Sequence, residues 1–258
     1  MVQHSSMDTI DMVDAHCHLL PQSLPAELIS QLDLAAVDMA AVLAVAPEDV
    51  EKTKEYNTYI SDTVQQYKDR LIGFGSVHPG QKDKAVQELE RFPDLGLHGV
   101  KFHPAKQDFL IDTPHMRALC AKAGELGLPV MIHSYFPFDS TQSHGLFNLV
   151  TAHPDTTFIL AHMGGHTFLD FYPYIEHRNI HDHVYFDVSS ILFMFRNSPY
   201  VPHIVWFIEK MGSDRVMFGS NYPVHHIVEA LSAFDDFDIP FEHSKNILGA
   251  TAADLFDL

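Results

Sequence analysis

Cysteine, positive charge and long apolar runs are all scarce in this chain. Only Cys17 and Cys120 occur among 258 residues, far apart and without a Cys-x-x-Cys spacing. That argues against a disulfide framework and fits a reducing cytoplasm. Lysine and arginine total 16 against 34 aspartates and glutamates, a formal charge of −18. Such a surface repels nucleic acid and anionic membranes, so neither is an expected partner. An anionic substrate stays admissible, because a local metal or Lys/Arg can reverse the field inside a pocket. No apolar run approaches the ~20 residues that span a bilayer. The start, Met1 to Asp11, is polar and lacks the apolar region of a signal peptide. No Gly-rich phosphate loop follows the first apolar run, and no linker, low-complexity segment or internal repeat divides the chain. The expectation is a soluble, cytoplasmic, single-domain protein over residues 1–258.

What is present is a regular alternation. A hydrophobic fraction of 46% with 19% charged residues is that of a globular enzyme rather than a disordered or fibrous chain. Short β-like runs cover Met12–Leu19, Met39–Ala46, Leu71–His78, His98–His103, Pro129–Ser134, Thr157–His162, Val184–Ser189 and Val216–Ser220. Several are nearly continuous in apolar residues, as parallel strands covered on both faces are. Helical stretches lie between them, over Pro47–Lys68, Lys82–Phe92, Thr113–Leu126, Leu146–Ala152, Phe168–His177 and Pro199–Met211. Gly127 and Gly212 read as helix stops. Ile227–Phe234 and Phe241–Phe256 complete the outer layer. Eight β/α alternations in a chain of this length predict an α/β fold, a (β/α)8 TIM barrel, with the open doubly wound sheet as the alternative.

A barrel carries its chemistry at the C-terminal ends of the strands. The first run ends in His16-Cys17-His18, and i, i+2 residues of a strand share a face, so the two imidazoles can grip one divalent cation. Cys17 then points away, as a small core residue. The protein holds 19 histidines, so one His-x-His pair alone is a weak signal. Yet histidine also ends the third, fourth, fifth and sixth runs, at His78, His103, His133 and His162, while the seventh ends at Asp187-Val-Ser-Ser190 and the eighth at Ser220-Asn221. A random scatter would seldom do this, and it weakens the reading of His16 and His18 as incidental surface residues.

The same residues carry a family likeness. Asp14-Ala-His16-Cys-His18, Gly99-Val-Lys-Phe-His-Pro104, Val130-Met-Ile-His133, Leu160-Ala-His162-Met-Gly-Gly165, Phe218-Gly-Ser-Asn-Tyr-Pro223 and the closing Asn246…Leu-Phe256 helix resemble the signature set of the amidohydrolase superfamily. The nearest resemblance is to its amidohydrolase-related branch of single-metal hydrolases, lactonases and decarboxylases. It implies a mononuclear site held by His16, His18 and His133, with one divalent ion, zinc or else manganese. It also implies a catalytic His162 that contacts substrate or shuttles protons. The strand-eight residue is normally an aspartate that serves as ligand and base; here it is Asn221, a neutral group that cannot take a proton. Metal affinity should therefore fall, and His162 becomes the candidate base. A strand-four lysine bridges two metals in binuclear members, but the missing aspartate disfavours that role for Lys101.

Other candidates follow from parity and chemistry. Lys101 and His103 share a face of the fourth run and are expected to bind substrate, Lys101 through a carboxylate or through Asp14. His78 and His103 each precede a Pro, and His78 reads rather as a rim residue bonded to a backbone carbonyl. Asp14, with the parity of His16, and Asp187 are expected to orient the ligands. Tyr135-Phe-Pro-Phe138 and Ile191-Leu-Phe-Met-Phe-Arg196 either line the mouth or pack a lid or a homodimer interface, with Arg196 as a carboxylate clamp. The leading expectation is metal-dependent hydrolysis of an amide, lactone or other ester of a small carboxylated molecule by metal-activated water. Non-oxidative decarboxylation of an aromatic or unsaturated acid is the alternative enzyme. A non-catalytic small-molecule-binding barrel is the alternative outside catalysis.

Overall fold

Strands with no polar face persist only where both faces are covered, and the sequence's apolar runs are covered in this way. The computed structural model describes residues 11–137, 139–177, 180 and 182–258. Residues 1–10 of the polar start, Phe138 of the aromatic segment and His181 lie outside the described residues.

All eight expected strands form: β1 (Val13–His18), β2 (Met39–Leu43), β3 (Leu71–Gly75), β4 (Gly99–Phe102), β5 (Val130–His133), β6 (Phe158–Ala161), β7 (Val184–Asp187) and β8 (Val216–Met217). They pair in parallel and in chain order, giving a (β/α)8 barrel. The ring comes together past the end of β8, where Ala15 N–H donates to Phe218 O at 2.9 Å and Asn221 N–H to His16 O at 2.8 Å. A parallel bridge joins Cys17 with Tyr222 beside them. Four strands, β2, β3, β7 and β8, stop two or three residues short of the sequence expectation, and the other four stop one residue short. His78, His103 and His162 fall just past the ends of β3, β4 and β6, whereas His18, His133 and Asp187 are the last residues of β1, β5 and β7.

Helices cover the outside, and their caps explain where the expected bounds moved. The helix expected from Pro47 runs Val50–Gln66, because the Asp49 carboxylate accepts from Lys52 N–H at 3.0 Å and sets the start. The one expected from Leu146 starts earlier, at Ser140, behind an Asp139 cap. The expected Phe168–His177 helix is a tight run over His162–Phe171 followed by Tyr172–Glu176. Helices that the sequence did not announce include Pro25–Ala35, Pro104–Gln107 and Ile191–Phe195, the first two opened by a proline. No helix among the described residues is long and apolar enough to cross a membrane.

Alternation divides the core in two. Met39, Leu43, Phe74, Met131, Ile159 and Met217 fill the barrel interior, and Phe256 of the helix Thr251–Phe256 seals it with its ring 5.5 Å from Phe74. Val42, Val100, Phe102, Ile132, Leu160 and Phe186 face the helices. Cys17 belongs to this outer layer, as strand alternation requires. β1 itself breaks the alternation once. Asp14 pairs with Ala40 and Cys17 with Val42, so β1 carries one extra residue between them. This bulge corrects the parity expected for Asp14. It lies with Cys17 and Ser220 rather than with His16, and its Oδ1 accepts from the backbone N–H of His16 at 3.1 Å and of Ser220 at 2.9 Å.

Candidate metal centre

Strand ends and the turns after them bring five imidazoles to one place. His16 and His18 leave β1 with their Nε2 atoms 3.2 Å apart. The His162 ring lies 4.8 Å from that of His16 and 4.9 Å from that of His133, and His103 stacks on His133 at 4.0 Å. His162 reaches this position from a left-handed turn, with φ of 66° at His162 and 46° at Met163 before Gly164 and Gly165. Non-glycine residues in that region carry strain of about 1–2 kcal/mol. A Cβ on Gly164 would strike Phe171, and one on Gly165 would strike Tyr135, so the turn also needs its glycines for space.

Hydrogen-bond partners fix where each ring proton sits. His16 Nδ1 faces the Asp187 carboxylate at 2.8 Å, and His18 Nδ1 faces the Leu43 carbonyl at 3.3 Å. Acceptors there make both Nδ1 atoms donors, which leaves a lone pair on each Nε2. Burial holds both rings well below the ordinary histidine pKa, so they are neutral. Two neutral nitrogens thus aim lone pairs at each other across 3.2 Å. His133 donates through Nε2 to the Tyr135 carbonyl at 2.9 Å, and its buried Nδ1 has no hydrogen-bond partner. Burial pushes its pKa down to about 3.

This donor set fits a divalent cation. Metal–imidazole bonds of about 2.0–2.1 Å put two ligand nitrogens roughly 3 Å apart, as His16 and His18 have them, and the unsatisfied His133 Nδ1 is a third neutral donor. His16, His162 and Asp187 also form a compact group whose ligand atoms lie within 4.8 Å of one another. Asp187 is already committed, however. Its Oδ1 accepts from the His162 N–H at 3.1 Å, the Ser189 N–H at 3.0 Å and the Ser189 hydroxyl, while Oδ2 holds His16. A carboxylate so engaged orients imidazoles better than it binds an ion.

The remaining expected residues separate. Lys101 is fully buried in the barrel beneath the histidines, and its Nζ has no hydrogen-bond partner. Burial lowers its pKa to about 7, against an upward pull from Asp187. No ion pair joins it to Asp14, whose own pKa burial raises. His103 caps Pro104–Gln107, its Nδ1 accepting from Lys106 N–H at 3.3 Å. Asn221, at φ 60°, donates from Nδ2 to Ser190 Oγ at 2.8 Å. His78 bonds the Gln107 carbonyl at 2.6 Å, a rim role. Arg196 turns outward to Asp236 and to Ser232 Oγ, the latter at 3.1 Å, and is not brought to the histidines. Its neighbours Ile191, Leu192 and Phe195 are buried in the outer core, and Phe193 stacks on His225 at 3.6 Å. On the other aromatic segment, Tyr135 bonds His166, and Phe136 lies edge-on to His133 at 6.1 Å.

Sequence reasoning gave Ser190 no role beyond its place at the end of the seventh run, and it passed over Lys106. Lys106 lines a cavity of about 740 Å³ beside His18, together with Leu20, Tyr56, Tyr59 and Lys52. The signal was there. Pro104 opens a helical turn at His103, which brings the residue three positions on back beside it.

Solved structures of the same architecture include a 5-carboxyvanillate decarboxylase from Sphingomonas paucimobilis, with TM-score 0.77 and 16% identity over 97% of this chain and 100% of that one. A dihydroxybenzoic acid decarboxylase from Polaromonas sp. JS666, with bound manganese and 2-nitroresorcinol, gives 0.73 and 18% over 97% and 98%. A probable 2-pyrone-4,6-dicarboxylic acid hydrolase from Acinetobacter baumannii, with citric acid bound, gives 0.72 and 17% over 96% and 100%. At these identities the likeness speaks to fold. No functionally curated protein matches the sequence. The model of the amidohydrolase family matches residues 13–258, from the first residue of β1 to the last of the chain. With nearly the whole sequence covered, this chain belongs to the amidohydrolase family.

Proposed function

We propose that this protein is a metal-dependent hydrolase of a small carboxylated amide, lactone or other ester, with His16, His18 and His133 holding one divalent ion. The observation that carries the reading is the pair of lone pairs on His16 Nε2 and His18 Nε2, 3.2 Å apart, with the partnerless His133 Nδ1 on a ring of the same cluster. An all-nitrogen donor set suits zinc, with manganese, found in the dihydroxybenzoic acid decarboxylase, as the alternative. When bound, such an ion supplies a Lewis acid for the scissile carbonyl and makes water more acidic.

Proton transfer falls to His162. Its Nδ1 donates to Ser189 Oγ at 2.9 Å, with the Ser189 carbonyl at 3.2 Å, so Nε2 carries the lone pair. Burial keeps the ring neutral at pH 7. His162 therefore takes a proton from the attacking water and passes it to the leaving group. His103 accepts at Nδ1, so its Nε2 bears the proton and donates to a substrate oxygen. Asn221 gives its amide N–H to Ser190, leaving Oδ1 as a neutral acceptor near the reacting group.

The neighbours that decarboxylate aromatic acids support a second reading, loss of CO2 from such an acid. That reaction ends by protonating carbon, a step His162 serves from the same Nε2 that serves the leaving group in hydrolysis. Solved structures of the same fold support decarboxylation at least as well as hydrolysis, and the product formed separates the two. The test is metal analysis of protein purified without added metal, followed by turnover of lactones, amides and carboxylic acids in 18O-water. Bound zinc or manganese near one equivalent with 18O in the product is expected. CO2 release without 18O incorporation would select the decarboxylase. Less than roughly a tenth of an equivalent, with no uptake of added zinc or manganese, would sink both and leave a binding barrel.

A further inference from the structure

One carboxylate reaches two rings at the mouth. Among the described residues, Asp187 is the only carboxylate hydrogen-bonded to any of the five imidazoles there. Its Oδ2 accepts from His16 Nδ1–H at 2.8 Å. Its Oδ1 accepts from the backbone N–H of His162 at 3.1 Å, from that of Ser189 at 3.0 Å, and from the Ser189 hydroxyl. Asn221 gives β8 no equivalent, since its amide donates to Ser190 Oγ. The Ser189 hydroxyl has a single proton, and a carboxylate only accepts, so that proton points at Asp187. What Ser189 Oγ turns toward His162 Nδ1, 2.9 Å away, is therefore a lone pair. His162 is buried and neutral, so it meets that lone pair by carrying its one ring proton on Nδ1. A second acceptor, the Ser189 carbonyl, is farther from Nδ1 at 3.2 Å and already accepts from Ile191 N–H at 2.6 Å. The hydroxyl is nearer, and donating to a charge polarises it into a better acceptor. Gly219 gives these groups room: a Cβ there would lie 2.7 Å from His16 Cβ and 3.1 Å from Ser189 Cβ.

We propose that Asp187 sets the tautomer of His162 through the Ser189 hydroxyl, which makes Ser189 a positioning residue that keeps His162 Nε2 free of its proton. One carboxylate thus fixes His16 directly and His162 through a single intervening oxygen. Without Asp187 the hydroxyl can turn and donate to His162 Nδ1, and the ring proton then moves to Nε2. Without the hydroxyl, Nδ1 keeps only the engaged carbonyl, and both tautomers become populated. What His162 does with a bare Nε2 rests on the hydrolase reading; its tautomer does not.

Long-range 1H–15N spectra of histidine-labelled protein at pH 7 test this, on zinc-loaded and on chelator-treated samples, with bound metal quantified in each. Comparison with His162→Asn assigns the His162 signals. Wild type should carry the His162 proton on Nδ1. Ser189→Ala should shift the ratio of the two forms toward Nε2–H by at least about tenfold, the worth of one hydrogen bond. Its metal content should not change, because Asp187 still holds His16. Asp187→Asn should give the same shift with the hydroxyl in place, and should lower metal content as well. If Asp187→Asn does not fold, Ser189→Ala decides alone. The wild-type ratio in Ser189→Ala overturns the proposal, as does a wild-type His162 with its proton on Nε2. A serine-dependent tautomer in a protein that takes up no metal keeps the proposal and removes the hydrolase reading. Metal uptake with a tautomer indifferent to Ser189 does the reverse.

Discussion

Each histidine at the mouth has one ring nitrogen tied to a neighbour, and that tie decides what the other can do. His16 and His18 are tied through Nδ1 to Asp187 and Leu43, so they offer Nε2. His133 is tied through Nε2 to Tyr135, so it offers Nδ1. His162 is tied through Nδ1 to Ser189, so it offers Nε2. Replacing His162 with Asn should lower kcat by about 10²- to 10⁴-fold, the usual worth of a positioned base, with metal content unchanged. Steady-state kinetics beside metal analysis reads both. Asn221→Asp is a sharper probe because it changes one charge at nearly constant shape. A carboxylate adds anionic charge for a cation, so metal should be held more tightly in competition with a chelator. Equal or weaker affinity would mean that the Asn221 side chain does not adjoin the ion.

At the scale of elements, strands were legible and their irregularities were not. Apolar runs of four to eight residues bounded by polar ends mark all eight strands, because burial on both faces leaves that imprint in composition. The same logic brought His16, His18, His133 and His162 together. It failed for Asp14, since a bulge shifts side-chain parity without any residue that announces it. It also could not foresee Arg196, whose outward turn follows from Asp236 and Ser232 on and just beyond a helix far along the chain. Short helices such as Pro104–Gln107 lack the length for a readable period. One contact between elements gives a test with opposed signs. Gly249 sits in the wide turn Asn246–Ala250, and a Cβ there would run into the Asp11 backbone just before β1. Helix propensity alone would make Gly249→Ala stabilising by up to about 1 kcal/mol. The backbone clash should instead cost about 1–3 kcal/mol. A lower urea midpoint is expected; a higher one would show that β1 and the closing helix have room to part.

At the scale of the whole molecule, the cluster of buried imidazoles governs how the fold responds to acid. Burial lowers the pKa of His16, His18, His103, His133 and His162, to about 2 for His103 and about 3 for His133. In the unfolded chain each returns to ~6.5. Below that value the unfolded state binds protons that the native state refuses, so stability rises with pH and is lost as pH falls. Each group contributes at most about 1.4 kcal/mol per pH unit once well below 6.5. Asp14 opposes this, because a carboxyl with a raised pKa favours the native state in acid, but it is one group against five. Lys101 adds a second slope in the same direction. With its pKa lowered to about 7, the unfolded state holds the extra proton from there up to ~10.4. Stability should therefore climb from acid through neutral and keep climbing on the alkaline side of neutral. Domains of this kind have roughly 5–15 kcal/mol to lose, so five histidines together should bring unfolding on between about pH 6 and 4.5. Urea midpoints at half-unit intervals from pH 5 to 9 measure the slope. A flat profile from pH 7.5 to 5.5 would mean that the histidines are not held neutral by the fold. Bound zinc should deepen the acid limb, since protons and the ion compete for the same three nitrogens, and that deepening should vanish in chelator-treated protein.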